Sequence, residues 1–325
     1  MIPITLILPS ILPVYLMMMV GLVLRHFRVL TPQMESGLLK LGIHCLMPCL
    51  ILDKILGNDL VRRPEVVFSG VGVGFFIIIA GFAVSYLVGR ILKLEKGKGA
   101  RTFTLAGGVQ NYGYVAIPIL MMLFSAQGSD RVLGLLFIHS LGVEIAIWVI
   151  GLMILSGSLI KKPRFFLNGP IVAVVIGIVF SYTGIWRFFE PQEGLHFGSV
   201  VRQVISWLGV CAFPIGLMLA GVTMYEMFSN FKPSLKVSGG ALVVRLLIMP
   251  LLIILLAKYL PLVKELKQII VVQAAMPAAV VPIIIARHYG GRTDVAIQVA
   301  LVTAVGALVT MPLWIAWGMA FVFGI

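Results

Sequence analysis

Asn111-Tyr-Gly-Tyr-Val-Ala-Ile-Pro118 lies inside a stretch otherwise apolar enough to cross a bilayer. Asparagine, glycine and proline stand there together, at a depth where a lipid-facing backbone finds no water for its polar groups. The chain repeats the pattern at Gln273-Ala-Ala-Met-Pro277-Ala-Ala-Val-Val-Pro282. An interrupted helix persists in a membrane only where protein or a water-filled cavity satisfies the freed backbone. Two such breaks at corresponding places in two halves of a chain point to the binding site of a transporter.

The surroundings of these breaks fix the class of protein. The 325 residues are 60% hydrophobic and 11% charged, with a mean hydropathy of +1.10. No soluble domain of this length buries so much apolar surface, whereas spans of roughly 20 apolar residues suit a bilayer. Apolar windows place ten spans near 5–24, 35–56, 66–90, 102–126, 132–155, 168–186, 200–222, 236–257, 268–288 and 294–320. The connections are short and leave no room for a soluble domain. The longest are 156–167 and 187–199, the latter holding Glu190-Pro191 and Glu193-Gly194.

The net charge of +13 does not indicate nucleic acid. The basic residues are scattered in short loops, the distribution that orients membrane proteins. With the N-terminus outside, the cytoplasmic loops hold the larger share, including Lys93, Lys96, Lys98, Arg101, Lys161, Lys162, Arg164 and Lys232. Both termini are therefore expected outside. The first basic residue, Arg25, follows the first apolar span, so no cleavable signal peptide is expected. Cys45, Cys49 and Cys211 all lie in apolar spans, and no His or acid completes a metal set around them. No metal and no cofactor is expected.

Ten spans divide into five and five, and an odd number per half makes the second half enter the membrane from the opposite face. Pro48 in span 2 answers Pro214 in span 7, and Pro118 in span 4 answers Pro282 in span 9. The two offsets, 166 and 164 residues, agree closely. The fold expected is an all-α polytopic membrane protein of two inverted repeats, 1–155 and 156–325, with helices 4 and 9 broken and crossed.

Candidate chemistry gathers at the crossing. Pro118 removes a backbone donor, and Gly113 loosens the chain just before it. Asn111 can cap the half-helix that restarts here, and the positive end of that half-helix attracts a carboxylate. Gln273 can donate and accept. The candidate substrate-binding set is Gln110, Asn111, Tyr112, Gly113 and Pro118 with Gln273, Pro277 and Pro282. The plainer reading is a pair of proline kinks with an interhelical amide bond. Glu144 is the only acid placed near the middle of a span, and Arg245 is the only arginine within one. They could form an ion pair, or Glu144 could carry protons, with His139 sharing a relay or merely packing. Asp53 and Lys54, at the end of span 2, are expected to face the interface. Trp186, Trp207, Trp314 and Trp317 fit an aromatic belt.

Several motifs together resemble the auxin efflux carrier family in its bacterial form. They are Asn111-x4-Ala-Ile-Pro118, Leu38-x-Lys40-Leu41 with Met47-Pro48, Pro214-x-x-Leu-Met-Leu-Ala-Gly221, Arg245-Leu-Leu-Ile-Met-Pro250 and Ala275-Met-Pro-Ala-Ala-Val-Val-Pro282. The resemblance covers nearly the whole chain. It implies the fold of the bile acid:sodium symporters, with helices 1, 2, 6 and 7 as a scaffold and helices 3–5 and 8–10 as a mobile transport core. It implies a homodimer joined through the scaffold in a bacterial plasma membrane, and a small organic acid as substrate. Family members carry auxin in plants and dicarboxylates such as malate or malonate in bacteria. One position departs: Ala116 stands where Gly is common, which narrows the closest backbone approach.

The function expected is secondary transport of an organic anion by an elevator motion. Proton coupling is favoured over sodium, because the crossing offers amides and carbonyls but no acids. A sodium-coupled symporter and a channel are the alternatives. An intramembrane enzyme is disfavoured. No intramembrane Asp pair exists, Gly157-Ser158 falls in a loop, and Ser140 adjoins His139 on one helix.

Overall fold

The computed structural model describes residues 4–95, 97, 99–125, 128–157, 168–190, 196–229, 231 and 234–324. Most of the expected 156–167 loop, with Lys161, Lys162 and Arg164, lies outside the described residues. So do Lys96, Lys98, Lys232 and the residues from Pro191 to Gly194.

The described chain is helical. Its α-helices are α1 (Ile4–His26), α2 (Pro32–Leu41), α3 (Met47–Ile55), α4 (Pro64–Ile91), α5 (Ala100–Gly108), α6 (Ala116–Leu123), α7 (Ser129–Ile145) and α8 (Leu152–Ser156). They continue with α9 (Gly169–Thr183), α10 (Phe197–Val210), α11 (Ala212–Ser229), α12 (Leu235–Val243), α13 (Met249–Tyr259), α14 (Lys264–Ala274), α15 (Val281–His288) and α16 (Thr293–Phe323). Starts follow local chemistry. Thr31 caps α2 through a bond from the Met34 amide, Asn168 caps α9 through Ile171, and Pro opens α2 and α4.

Among the described residues six stretches are long and apolar enough to cross a membrane: Ile7–His26, Pro64–Ile91, Ser129–Ser156, Phe197–Ser229, Leu235–Tyr259 and Thr293–Phe323. The expected spans near 35–56, 102–126, 168–186 and 268–288 are not among them. The first is α2 and α3 joined by a π-helical turn, the third is the shorter α9, and the other two are the broken pairs α5/α6 and α14/α15. The chain is a polytopic membrane protein.

Three π-helical turns, Gly42–Leu46, Ala146–Gly151 and Val244–Ile248, widen otherwise continuous helices. Two stand directly before Met47-Pro48 and Met249-Pro250. A proline inside a helix removes a donor and its ring collides with the turn before it, so a wider turn relieves both. The carbonyl of Leu246, which Pro250 cannot serve, accepts instead from Trp314 Nε1 at 2.8 Å. Trp314 is thus tied inward rather than acting as an interfacial anchor.

The helices fall into two sets by packing. α1 lies along α11, and α3 lies against α9 and α10. The α1–α11 approach is as close as backbones allow. A Cβ on Gly21 would fall 2.0 Å from the Met218 carbonyl oxygen, and one on Gly221 would fall 1.8 Å from that of Met18. In the second set α4 packs on α5 and α7, α12 on α16, and α13 on α14. Exchanges link the ends of the broken pairs: α5 meets α15 and α16, while α14 meets α6 and α7.

Asp53 and Lys54 do not simply face the interface. Asp53 is buried, Lys54 Nζ lies 2.8 Å from it and 2.9 Å from Asp130, and Arg202 Nε reaches it at 3.2 Å. The Arg202 Nη2 group also donates to the carbonyls of Asp53 and Leu56 at 2.7 and 3.1 Å. This network pins α3 to α10 and to the start of α7. Each charge is compensated locally, which is what allows burial.

Candidate functional site

The break between α5 and α6 occupies residues 109–115, and that between α14 and α15 occupies 275–280. Pro118 and Pro282 do not stand in the gaps. They sit in the first turns of α6 and α15, where a helix tolerates a missing N–H best. The two gaps satisfy each other. Asn111 N–H donates to the Pro277 carbonyl at 2.8 Å, and Ala279 N–H donates to the Val109 carbonyl at 2.9 Å. The result is a single antiparallel bridge centred on Gln110 and Ala278. Ala278 N–H turns the other way and donates to Thr303 Oγ1 of α16 at 3.0 Å. Backbone groups that a lipid could never satisfy are thereby paired.

Behind the bridge Gln110 Nε2 donates to Gln273 Oε1 at 3.3 Å, and both side chains are fully buried. In front of it a small cavity of about 30 Å³ opens between the two packing sets. Tyr15 and Met18 of α1 and Ala220, Met224 and Met227 of α11 form one wall; Asn111, Val115, Pro277, Ala278, Val280, Ala300 and Ala304 form the other. Val115 and Val280 are the residues from which α6 and α15 start, so both half-helix N-termini open on this cavity. Asn111 Oδ1 accepts from Val115 N–H at a long 3.5 Å. The Tyr15 hydroxyl is buried with no hydrogen-bond partner among the described residues. A space of this size takes a water or two, not an organic acid.

The broken, crossed pair, the small polar site between two packing sets and the apolar helices around them agree with what comparison with known proteins finds. The membrane transport protein family matches this chain over residues 6–165 and 158–315. The chain belongs to that family, the auxin efflux carriers. A protein of Methanothermobacter thermautotrophicus described as an uncharacterized transporter is 24% identical over 313 residues, covering 94% of this chain and 96% of the relative. The family and the relative mark a transport protein and not an enzyme.

Within this auxin efflux carrier the expected residues do not converge on one spot. Asn111 and Pro277 reach the cavity, with Ala116 fully buried close by. Gln110 and Gln273 bond to each other behind it. Tyr112 turns away: its hydroxyl donates to Glu144 Oε1, and Trp148 Nε1 donates to Glu144 Oε2 at 2.7 Å. Gly113 is half-buried, with open space where a side chain would stand.

The ion pair between Glu144 and Arg245 is not formed. Arg245 is fully buried in the π-helical turn, and its Nη2 donates to the Met276 carbonyl at 3.2 Å. That carbonyl lies just past the C-terminal end of α14, where free carbonyls carry partial negative charge. The end of the broken helix engages the guanidinium through this one bond, and Nε and Nη1 have no hydrogen-bond partner among the described residues. Neither ring nitrogen of His139 has a partner among the described residues.

Sequence reasoning missed Thr303 and Tyr15. Thr303 is one of three threonines in an apolar helix, and Tyr15 stands in a run of Met and Leu. Only the partners brought by folding distinguish them from packing residues.

Proposed function

We propose that this protein is a secondary transporter of a small organic acid, binding the carboxylate in front of the crossing of two broken helices. The observation that carries the reading is the cavity at which α6 and α15 both start, bordered by Asn111 and by a Tyr15 hydroxyl without a partner among the described residues. Two positive helix ends and neutral donors, with no acid on the wall, suit an anion better than a cation. Proton coupling is preferred to sodium coupling on the same ground.

The cavity lies between α1 and α11 on one side and the crossing on the other, so it opens only if the two sets separate or slide. Ten crossings in two inverted halves, with an elevator motion of the core, account for this placement. The packing supports the inverted repeat: α1 against α11 is answered by α9 against α3, and α5 against α16 by α14 against α7. The dimer through the scaffold, the plasma membrane location and the outside termini belong to the same reading.

The test is uptake by the purified protein in proteoliposomes, with radiolabelled acetate, malate, malonate and auxin as the panel. Saturable, competable uptake of one of them is expected in the wild type. Asn111→Ala should abolish it in protein that still folds and inserts. Unchanged kinetics in that variant would remove Asn111 from the site, and unsaturable flux would indicate a channel.

A further inference from the structure

Glu144 stands near the middle of the Ser129–Ser156 span, roughly 20 Å from either end at helical rise. It is half-buried, and its two oxygens have different partners. Trp148 Nε1 holds Oε2, and Tyr112 Oη holds Oε1. Among the described residues no ion pair includes Glu144.

The charged groups on the helices packed against α7 gather towards their ends. Lys54 of α3 pairs with both Asp53 and Asp130, Glu265 of α14 approaches Arg131, Glu65 of α4 pairs with Arg63, and Arg90 of α4 bonds Tyr86. His139, five residues before Glu144, is buried without bonding to it. Tyr112 and Trp148 share an apolar cluster with Phe75, Ile78, Val281, Ile285 and the phenol of Tyr289, and the phenol of Tyr114 lies near enough to Tyr112 to interact with it electrostatically.

A carboxylate held only by neutral donors at this depth is costly, and taking up a proton removes the charge. The geometry leaves one place for that proton. Indole N–H can only donate, so Oε2 must stay an acceptor in both states. A phenol hydroxyl can donate or accept. The proton therefore goes to Oε1, and Tyr112 changes from donor to acceptor, releasing its own O–H to seek another partner. Tyr112 is covalently joined to Asn111, whose N–H holds the crossing together and whose side chain borders the cavity.

We propose that Glu144 Oε1 and Tyr112 Oη form a proton-binding site whose reversal of one hydrogen bond is transmitted through the peptide link to Asn111. The site couples proton movement to loading of the carboxylate cavity, and it rests on the carboxylate reading above. The proton comes from water and returns to it, and no other reactant is consumed.

The experiment uses proteoliposomes carrying a pH-sensitive dye, with malate and malonate as first probes and the rest of the panel after them. Wild-type transport should move protons and vary with pH. Glu144→Gln should keep exchange at equal pH on both sides but lose proton movement and pH dependence. Tyr112→Phe should shift the pH profile, since Oε1 loses the partner that can reverse. Proton movement retained in Glu144→Gln, or wild-type transport indifferent to pH, would overturn the proposal. Absence of any carboxylate exchange by the wild type would instead refute the transport reading on which it rests. Infrared difference spectra of wild type and Tyr112→Phe give a readout independent of transport. A protonated carboxyl band that titrates differently in the two is expected, and its absence from the wild type at every pH would also overturn the site.

Discussion

Replacing Thr303 by Val tests whether the break between α14 and α15 is held by a side chain. Thr303 is fully buried, and its Oγ1 accepts from Ala278 N–H at 3.0 Å while lying 2.7 Å from the Val299 carbonyl oxygen. Val keeps the shape and removes the acceptor. A buried N–H left without a partner costs about 1–3 kcal/mol. Bonds between membrane helices average about 0.6 kcal/mol by double-mutant cycles, which sets the low end. Sterics add to this, because a methyl cannot sit 3.0 Å from an amide nitrogen. Contacts of that kind need about 3.5–4.0 Å, so the bridge must shift by at least about half an ångström. A loss of about 2 kcal/mol is expected, or roughly thirtyfold in the unfolding equilibrium at about 1.4 kcal/mol per decade. Thr303→Ser keeps the acceptor and should lose only about 0.8 kcal/mol for the missing methyl. Unfolding in mixed micelles titrated with denaturing detergent measures both, and uptake per folded molecule should fall more in the Val variant. Stability of Thr303→Val within about 0.5 kcal/mol of wild type, or equal losses in Val and Ser, would refute the argument.

Two further perturbations address the frame and the charges. Gly221→Ala places a Cβ 1.8 Å from the Met18 carbonyl oxygen, a backbone atom that cannot rotate aside. It should destabilise by about 1–3 kcal/mol in the same unfolding assay, whereas Gly37→Ala, with nothing within 4 Å, should be neutral or slightly stabilising. Glu144→Gln combined with Arg245→Gln should show additive stability losses within about 0.5 kcal/mol, because the two side chains have separate partners; a rescue in the double variant would mean that they pair after all.

The two breaks were legible because Asn, Gly and Pro in an apolar run have no other economical explanation. Their mutual pairing was not, since the bridge joins backbone groups and leaves no mark in residue type. The Glu144–Arg245 expectation failed because counting charges assumes that each needs its opposite. Here the acid uses Tyr112 and Trp148, and the base uses the end of a helix. Trp148 stands four residues after Glu144 on the same helical face, a spacing that could have been weighed. The α1 and α11 wall of the cavity carries Met, Ala and one Tyr, residues that read as packing in any membrane helix. Asp53 and Arg202 are 149 residues apart, and nothing local links them.

The bridge between Val109, Asn111, Pro277 and Ala279 also has a bearing on how the chain is made. Its two hydrogen bonds close over separations near 168 residues. At synthesis rates of about 5–20 residues per second, the second strand emerges roughly 10–30 s after the first. Throughout that interval the gap at 109–115 has no protein partner for Asn111 N–H or the Val109 carbonyl. The nascent first half must keep this segment near water or within the insertion machinery, and it can settle at full depth only when the second gap arrives.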